Sequence, residues 1–362
     1  MTAGPKPLLM AAATALAAVG ASLILAGCGS NQEDRTILFG FNDDSFRARL
    51  LTADQNARLV ARAGANVQRV TFDWRYAEPA KDHYDFAAYD EIYRAMTARG
   101  VRPLFILMFA PEWTWKGDYP CTQFGQDCRF PPGHRHDSEW SQIAGLLARR
   151  YPKAAGIEIW NEPNLASFWG PKPDAARYTT LLRLAHRAVK RANPEMQVIG
   201  GSLNNVRTAA GGDAPLGDFA RAMYERGAKG AMDALSVHPY PLSATDLSLM
   251  VRNLDEIRSV KEAAGDTETP LWVTEIGLST TGPPEQGGAL SEDSQAKGLA
   301  AIYDRLADMG DVDAVIVHTL LDRAGDAASV ESGYGVLRTG LEPKPAYCAL
   351  AAKRDRDPGC ES

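Results

Sequence analysis

The 362-residue sequence lacks several features that would assign it to a particular class of protein. It has no polybasic run, and 39 basic residues stand against 45 acidic ones, for a net charge of −6. This balance argues against a nucleic-acid partner. The sequence also has no glycine-rich phosphate-binding motif and no nucleophile elbow. We therefore expect no nucleotide or other cofactor and no serine-hydrolase chemistry.

Cysteine is scarce, and its spacing does not indicate a metal site. None of the five cysteines forms a Cys-x-x-Cys pair, which argues against zinc or thioredoxin-like chemistry. His134 and His136 form a His-x-His pair, but no carboxylate or cysteine at ligand spacing completes a site nearby. The sequence therefore predicts no bound metal and places both histidines in a solvated loop.

The N-terminus has the pattern of an export signal. Residues 1–27 contain Lys6, an apolar segment over residues 8–25 and a small-residue site directly before Cys28. The Leu-Ala-Gly-Cys ending resembles the lipobox of bacterial lipoproteins, which implies a lipid on Cys28 and a tether over residues 28–35. A transmembrane anchor is the alternative, but the apolar run is short for a membrane span.

Four cysteines follow Cys28, and an exported protein enters an oxidising compartment. Three pairings are possible. Proximity along the chain favours Cys121 with Cys128 and Cys348 with Cys360.

After residue 36, short apolar runs alternate with amphipathic segments of helical length. That alternation is typical of βαβ units and a parallel sheet. Eight units over residues 36–362 predict a single (β/α)8 TIM barrel, an α/β fold, without an internal linker. The predicted strands are 37–41, 67–72, 102–108, 156–159, 198–201, 234–237, 271–274 and 314–317.

Two predicted strands end in a glutamate. Strand four leads into Trp-Asn-Glu-Pro, with Glu162, and strand seven leads into Thr-Glu, with Glu275. Both carboxylates should face the same pocket, because barrel active sites lie at the carboxyl ends of the strands. Two carboxyl groups about 5–5.5 Å apart are what a retaining glycosidase requires. The pair therefore predicts cleavage of a glycosidic bond.

The Asn161-Glu162-Pro163 segment together with Thr274-Glu275 resembles clan A of the retaining glycoside hydrolases, in particular families 39 and 5. The resemblance extends over nearly the whole chain after the predicted signal. It implies that Glu162 is the acid/base and Glu275 the nucleophile.

Further positions fit the same clan. The resemblance implies that Asn161 contacts the sugar 2-hydroxyl and that Arg69 lies near the nucleophile. His238 and Tyr240 match the histidine and tyrosine that follow strand six. We expect Tyr240 to contact the site directly and His238 to support it.

Strand eight departs from the clan pattern. The clan commonly has a tryptophan near the end of this strand, as a floor for the reacting sugar, whereas residues 315–322 contain none. We expect His318 to occupy part of that space. The departure indicates a sugar other than an ordinary hexopyranose, such as a furanose or a substituted ring.

Tryptophans in the predicted loops are candidate sugar platforms. Aromatic faces stack on the apolar C–H faces of sugars, and Trp113 and Trp169 both follow strands at the predicted active-site face. Trp113 is the preferred platform. Because these residues are spread over several loops, they favour internal cleavage of a polymer.

The sequence as a whole predicts a lipid-anchored retaining glycosidase, exported to the outer face of a bacterial membrane and acting on a polysaccharide or cell-envelope glycan. An inactive sugar-binding lipoprotein and a transglycosylase using the same residues are alternatives. A solute-binding lipoprotein is a further alternative, but such proteins have two lobes, whereas this chain has one run of eight units.

Overall fold

The computed structural model describes Met1, Gly4 and residues 37–119 and 129–360. The chain divides into two units, residues 1–35 and 36–362, and all the strands and helices described here lie in the second. Cys28, the predicted tether and the predicted Cys121–Cys128 pair lie outside the described residues. Among the described residues, no helix combines the length and the apolar character needed to cross a membrane.

Eight parallel strands close into a barrel in chain order, and the last strand pairs with the first. The predicted (β/α)8 barrel is therefore confirmed. The strands are β1 Leu38–Asn42, β2 Val67–Asp73, β3 Arg102–Met108, β4 Gly156–Ile159, β5 Val198–Asn204, β6 Ala234–His238, β7 Leu271–Ile276 and β8 Val312–His318.

Helices follow the strands and cover the outside of the barrel. Two short ones, α2 and α4, lie in the loops after β2 and β3 and were not expected from the sequence. In the described part of the chain, the α-helices are α1 Ala53–Arg62, α2 Trp74–Ala77, α3 Ala87–Thr97, α4 Glu112–Trp115, α5 Asp137–Arg150, α6 Ala175–Ala192, α7 Leu216–Glu225, α8 Ser248–Ala263, α9 Glu292–Ala307 and α10 Pro345–Ala352.

The inside of the barrel changes from apolar to polar along the strands. Side chains alternate between the two faces of a strand, so every second residue points inward. Along β2, Val67 lies in the apolar interior cluster and Arg69 in a polar layer above it. Along β6, Ala234 is followed by Ser236 and then His238. The interior cluster is formed by Val67, Leu104, Ala155, Ile199, Ala234, Trp272, Ala314 and Ile316.

Helix α6 fixes the neighbouring strands β4 and β5 below the barrel mouth. Its buried face includes Tyr178, whose hydroxyl donates to the Ile159 carbonyl at 3.0 Å. The same hydroxyl accepts from the Gly201 amide at 2.7 Å. One buried side chain thus holds the end of β4 at a defined distance from β5.

The C-terminal helix α10 closes the outer ring of helices. The Tyr347 hydroxyl donates to the Leu59 carbonyl of α1 at 2.7 Å. Cys348 of the same helix forms a disulfide with Cys360, with 6.1 Å between the Cα atoms. The structure thus contains the pairing that proximity favoured at this end of the chain, and it links the tail to α10.

Gly40 in β1 is required by close backbone packing inside the barrel. A Cβ atom at this position would lie 1.7 Å from the Val67 carbonyl oxygen, a distance that only a movement of the paired strands could relieve. Gly310 has room for a side chain, because a Cβ atom at this position would meet no other atom within 4 Å.

Gly40→Ala is expected to lower the free energy of unfolding by about 1–3 kcal/mol or more, as for other overpacked interiors. Gly310→Ala is the control and should change it by less than about 0.5 kcal/mol. Urea denaturation followed by circular dichroism measures both. Equal stability of the two variants would contradict this account of β1.

Candidate active site

A cavity of about 720 Å³ opens at the carboxyl ends of the strands. Most of its polar lining comes from residues at or just after strand ends, which is where barrel enzymes carry their active sites. The residues that matter most for its chemistry are Asn42, Arg69, Asn161, Glu162, Tyr240 and Glu275.

The two glutamates singled out in the sequence face each other across this cavity. Glu162 follows β4, and Glu275 lies within β7 rather than just past it. A carboxylate oxygen of Glu162 lies within 4.8 Å of one of Glu275. This spacing matches the 5–5.5 Å of retaining glycosidases and is well below the 6.5–9.5 Å of inverting ones.

Both oxygens of Glu275 accept hydrogen bonds. Asn42 Nδ2 donates to Oε2 at 2.7 Å, and Arg69 Nη1 donates to the same oxygen at 3.0 Å. The Tyr240 hydroxyl donates to Oε1 at 2.7 Å. Three donors on one carboxylate favour its charged form and hold it in one orientation.

The electrostatic surroundings of Glu275 act in the same direction. Burial alone would raise the pKa of this carboxyl group. Electrostatic interactions with His318, His238 and Arg69 outweigh that penalty, and the Tyr240 hydrogen bond adds to the effect. The pKa of Glu275 is therefore lowered to about 2, so the group is a carboxylate at neutral pH. Burial is the main reason that the pKa of Tyr240 is raised well above 10, and the charge on Glu275 is the second. The Tyr240 hydroxyl therefore keeps its proton and acts as a donor.

Glu162 is held through a single oxygen. Its Oε1 accepts from Asn204 Nδ2 at 2.8 Å and lies 2.9 Å from His238 Nδ1. Because this carboxylate oxygen accepts, Nδ1 is the donor in the His238 contact. The other ring nitrogen, Nε2, lies 3.2 Å from the hydroxyls of Ser202 and Thr274. With Oε1 occupied twice, Oε2 is the oxygen suited to exchange a proton with a bound molecule.

Arg69 connects the two sides of the site from beneath. Its side chain is 1% exposed and donates through Nε to Glu158 Oε2 at 2.5 Å. Nη2 donates to Asn161 Oδ1 at 2.7 Å and to Ser202 Oγ at 3.0 Å. Since Nη1 reaches Glu275, one buried guanidinium orders groups from β2, β4, β5 and β7.

The backbone around Glu162 is strained. Trp160 and Glu162 have φ values of 69° and 44°, in the left-handed region that residues with side chains seldom adopt. Phe109, which lines the cavity, and Ser202 also have positive φ, at 58° and 52°. Strained residues of this kind concentrate at functional sites because the surrounding packing must hold them in place.

The structure does not bring the predicted tryptophan platforms to the cavity. Trp169 is 1% exposed and packs on Trp160 and Tyr178. Trp113, in α4, turns inward, and its indole nitrogen donates to the Glu78 carbonyl at 3.1 Å. Both side chains pack against other parts of the loops behind the site, Trp113 from the short helix α4 and Trp169 from the loop after β4.

Other aromatic residues line the cavity instead. They are Phe109, Phe168, Tyr240 and Tyr334. The Arg129 guanidinium, also in the lining, lies 4.7 Å from the Phe168 ring centroid and 5.5 Å from that of Phe109. The aromatic surface available to a sugar is therefore built from phenylalanine and tyrosine.

His318 lies in the cavity wall at the end of β8. Its Nδ1 is 3.1 Å from Asn42 Nδ2, and its ring packs edge-on against Tyr334 at 5.1 Å. Nε2 is 3.8 Å from a Glu331 carboxylate oxygen. Burial would lower the pKa of His318, but the charges of Glu275 and Glu331 raise it.

Glu162, His238 and Glu275 are also the kinds of group that bind metal ions. One ligand atom from each lies within 4.8 Å of the others. Each group is already bound by other side chains of the protein, and the Arg69 guanidinium beside Glu275 would repel a cation. The arrangement is therefore better suited to acid–base chemistry than to metal binding. His134 and His136 form a short 3₁₀ turn before α5, away from the cavity lining.

Four residues that contact the two glutamates or Arg69 were not predicted from the sequence. Asn42 and Asn204 end β1 and β5, so polar residues at strand ends were a signal for both. Glu158 is a charged residue inside the apolar run of β4, which is also a detectable signal. Ser202 follows Gly201 at an irregularity between β5 and β6, which no short-range pattern indicates.

A closed (β/α)8 barrel with glutamates at the ends of strands four and seven defines a clan A glycoside hydrolase. The sequence profile of glycosyl hydrolases family 39 matches residues 41–352. The chain belongs to this family, which confirms the resemblance seen in the sequence.

Two curated relatives are β-xylosidases. One, from Geobacillus stearothermophilus, is 25% identical over 299 residues, which cover 75% of this chain and 56% of the relative. The other, from Caldicellulosiruptor saccharolyticus, is 26% identical over 291 residues, which cover 74% of this chain and 56% of the relative. The chain thus spans little more than half the length of these relatives.

Solved structures share the fold. A family 39 glycoside hydrolase from the gut symbiont Bacteroides cellulosilyticus WH2 has a TM-score of 0.69 at 23% identity, over 88% of this chain and 63% of that one. A monomeric β-xylosidase from Caulobacter crescentus CB15 has a TM-score of 0.64 at 21% identity, over 88% of this chain and 67% of that one.

Glu158→Gln is expected to lower the free energy of unfolding by about 3–5 kcal/mol. The substitution removes the negative charge that pairs with the buried Arg69, while the side chain keeps nearly the same size and shape. Glu112→Gln is the matched control, because its ion pair with Lys116 is exposed and should contribute less than about 1 kcal/mol. Chemical denaturation at neutral pH distinguishes them. A loss below 1 kcal/mol at Glu158 would show that Arg69 does not depend on this carboxylate.

Proposed function

We propose that this protein is a retaining glycoside hydrolase in which Glu275 is the nucleophile and Glu162 the general acid and base. The single observation that carries the proposal is the pair of carboxylates within 4.8 Å, one of which is held charged by three donors. The two groups have different surroundings, and this difference suits them to different roles.

In the first step, a Glu275 oxygen forms a bond to the anomeric carbon of the substrate. The bond from that carbon to the leaving oxygen breaks, and the proton on Glu162 passes to the leaving oxygen. Asn42, Arg69 and Tyr240 hold Glu275 in position for the attack, so little reorganisation is needed when the bond forms.

In the second step, water attacks the glycosyl ester. Glu162, now a carboxylate, takes a proton from this water while the bond to Glu275 breaks. Formation of the ester removes the negative charge of Glu275, and this favours the change of Glu162 from acid to base. If a sugar hydroxyl replaces water, the same groups catalyse transglycosylation.

β-Xylosides are the first substrates to test, because the two curated relatives are β-xylosidases. The expectation of internal polymer cleavage rested on Trp113 and Trp169 as exposed platforms, and neither lines the cavity. A volume of about 720 Å³ falls in the usual range for small-molecule sites. We therefore propose a short oligosaccharide or a chain end as the substrate.

We also propose that the enzyme is exported and held at a membrane surface by a lipid on Cys28. The support is the sequence pattern of residues 1–28. Acyl chains on the N-terminal cysteine would keep the enzyme near extracellular glycans.

Glu275→Ala is expected to lower kcat for 4-nitrophenyl β-xyloside by at least about a thousandfold, because no group remains to attack the anomeric carbon. Added azide or formate should restore part of the activity by entering the space left by the side chain. Mass spectrometry of the products identifies a glycosyl azide.

Glu331→Ala is the control, since this glutamate also lines the cavity but contacts His318 rather than Arg69 and Tyr240. It should show no rescue by azide. Activity of Glu275→Ala close to that of the wild type would refute the nucleophile assignment. A wild type that binds oligosaccharides but hydrolyses none would indicate a sugar-binding protein instead.

Tyr240→Phe is expected to move the acid limb of the kcat/KM profile to higher pH, by about one unit. The Tyr240 hydroxyl stabilises the charged form of Glu275, so its removal raises the pKa of Glu275 and the nucleophile becomes protonated at a higher pH. Tyr334→Phe, a change of the same kind in the cavity wall, should leave the acid limb unchanged. A shift of equal size in both variants would exclude a specific effect of Tyr240.

A further inference from the structure

Exposed apolar side chains are concentrated at the active-site face of the barrel. Among the described residues, the exposed large hydrophobic side chains besides Met1 are Leu50, Tyr76 and Leu242. They lie in the loops after β1, β2 and β6, all at the carboxyl ends of the strands. Tyr76 is 68% exposed and is the only aromatic residue of the three.

Two partly exposed arginines, both paired with a buried aspartate, lie beside the ring of Tyr76. The Arg47 and Arg75 guanidinium carbons lie 6.0 Å and 5.8 Å from the Tyr76 ring centroid. Both guanidiniums donate at 2.9 Å to Asp73, which ends β2 and is fully buried. An exposed ring that is positioned by the scaffold loses less conformational freedom when a ligand stacks on it.

Two arginines connect Tyr76 to the wall of the catalytic cavity. Arg47 lines the cavity on one side. On the other side, the Arg75 guanidinium lies 4.5 Å from the ring centroid of Phe109, which also lines the cavity. Tyr76 therefore lies one residue away from the cavity lining, through Arg47 on the one hand and through Arg75 and Phe109 on the other.

The charges around Tyr76 favour a neutral ligand. Arg47 and Arg75 are balanced by Asp73 and by Asp44, whose carboxylate lies 3.8 Å from Arg47 Nε. Little positive charge remains to recruit an anionic group. The exposed aromatic ring supplies an apolar surface of the kind that matches the C–H face of a sugar.

We propose that Tyr76 forms an outer sugar-binding subsite, on which a neutral oligosaccharide stacks a ring beyond the one that reacts in the cavity. This inference rests on the proposed glycosidase function and deepens it, because it makes the substrate a chain of at least two sugars. Tyr76 binds the substrate in this account and takes no part in the bond-breaking steps.

The test measures binding in the absence of turnover. In a Glu162→Gln background, calorimetry follows the binding of xylo-, manno- and gluco-oligosaccharides of one to five units. Affinity should rise with chain length for at least one series. Adding Tyr76→Ala should weaken binding of the longer members by about 3- to 10-fold and leave the monosaccharide unchanged. Tyr76→Phe should restore the affinity, because the ring is retained.

Leu242→Ala is the matched control, since Leu242 is exposed on the same face but follows β6, across the barrel from β2. It should bind every chain length as the parent does. The inference is overturned if no series shows an effect of length, or if Tyr76→Ala weakens the monosaccharide equally. A loss in Leu242→Ala as large as that in Tyr76→Ala would also overturn it.

The outcome for the proposed reaction is read separately, from hydrolysis of aryl glycosides by the wild type. If hydrolysis is absent while binding still depends on chain length and Tyr76, the proposed reaction fails and the subsite stands. If hydrolysis occurs without any effect of Tyr76, the reaction stands and the subsite fails.

Discussion

The site depends on the buried cation of Arg69. A guanidinium removed from water must be paired and fully hydrogen-bonded, or its burial is strongly unfavourable. Glu158 supplies a permanent partner inside the barrel, and Glu275 supplies a second at the cavity floor. The Nη2 group donates to Asn161 and Ser202. The requirement to satisfy one charge therefore places groups from four strands in a single arrangement.

The same polar layer gives the two glutamates different surroundings. Glu275 takes charge and hydrogen bonds from Asn42, Arg69 and Tyr240, so its carboxylate form is stabilised. Glu162 is oriented through one oxygen, by His238 and Asn204, and neither of these contacts involves its second oxygen. Its strained backbone is held by the tryptophan packing behind β4, where Trp160 contacts Trp140 and Trp169. The tryptophans thus serve the site indirectly.

Much of the fold could be predicted because it depends on local patterns. Eight apolar runs separated by amphipathic segments specify a barrel, since each helix must bury one face and each strand must pair with its neighbours. The strand-end glutamates were predictable for the same reason: strand count alone places them at one mouth. The ends of the strands were less predictable. Glu275 lies within β7, and β5 continues to Asn204 past an irregularity at Gly201.

By itself, the sequence determined the barrel, the family and the two glutamates, because these follow from periodicity and from short motifs at strand ends. Only the tertiary structure decided which aromatic rings face the cavity. Trp113 and Trp169 turn inward, whereas Tyr76, which carries no motif, is exposed beside the cavity. The direction of a loop side chain depends on packing between segments distant in the chain, here on the Asp73 carboxylate that holds Arg47 and Arg75. Such contacts leave no periodic trace in the sequence.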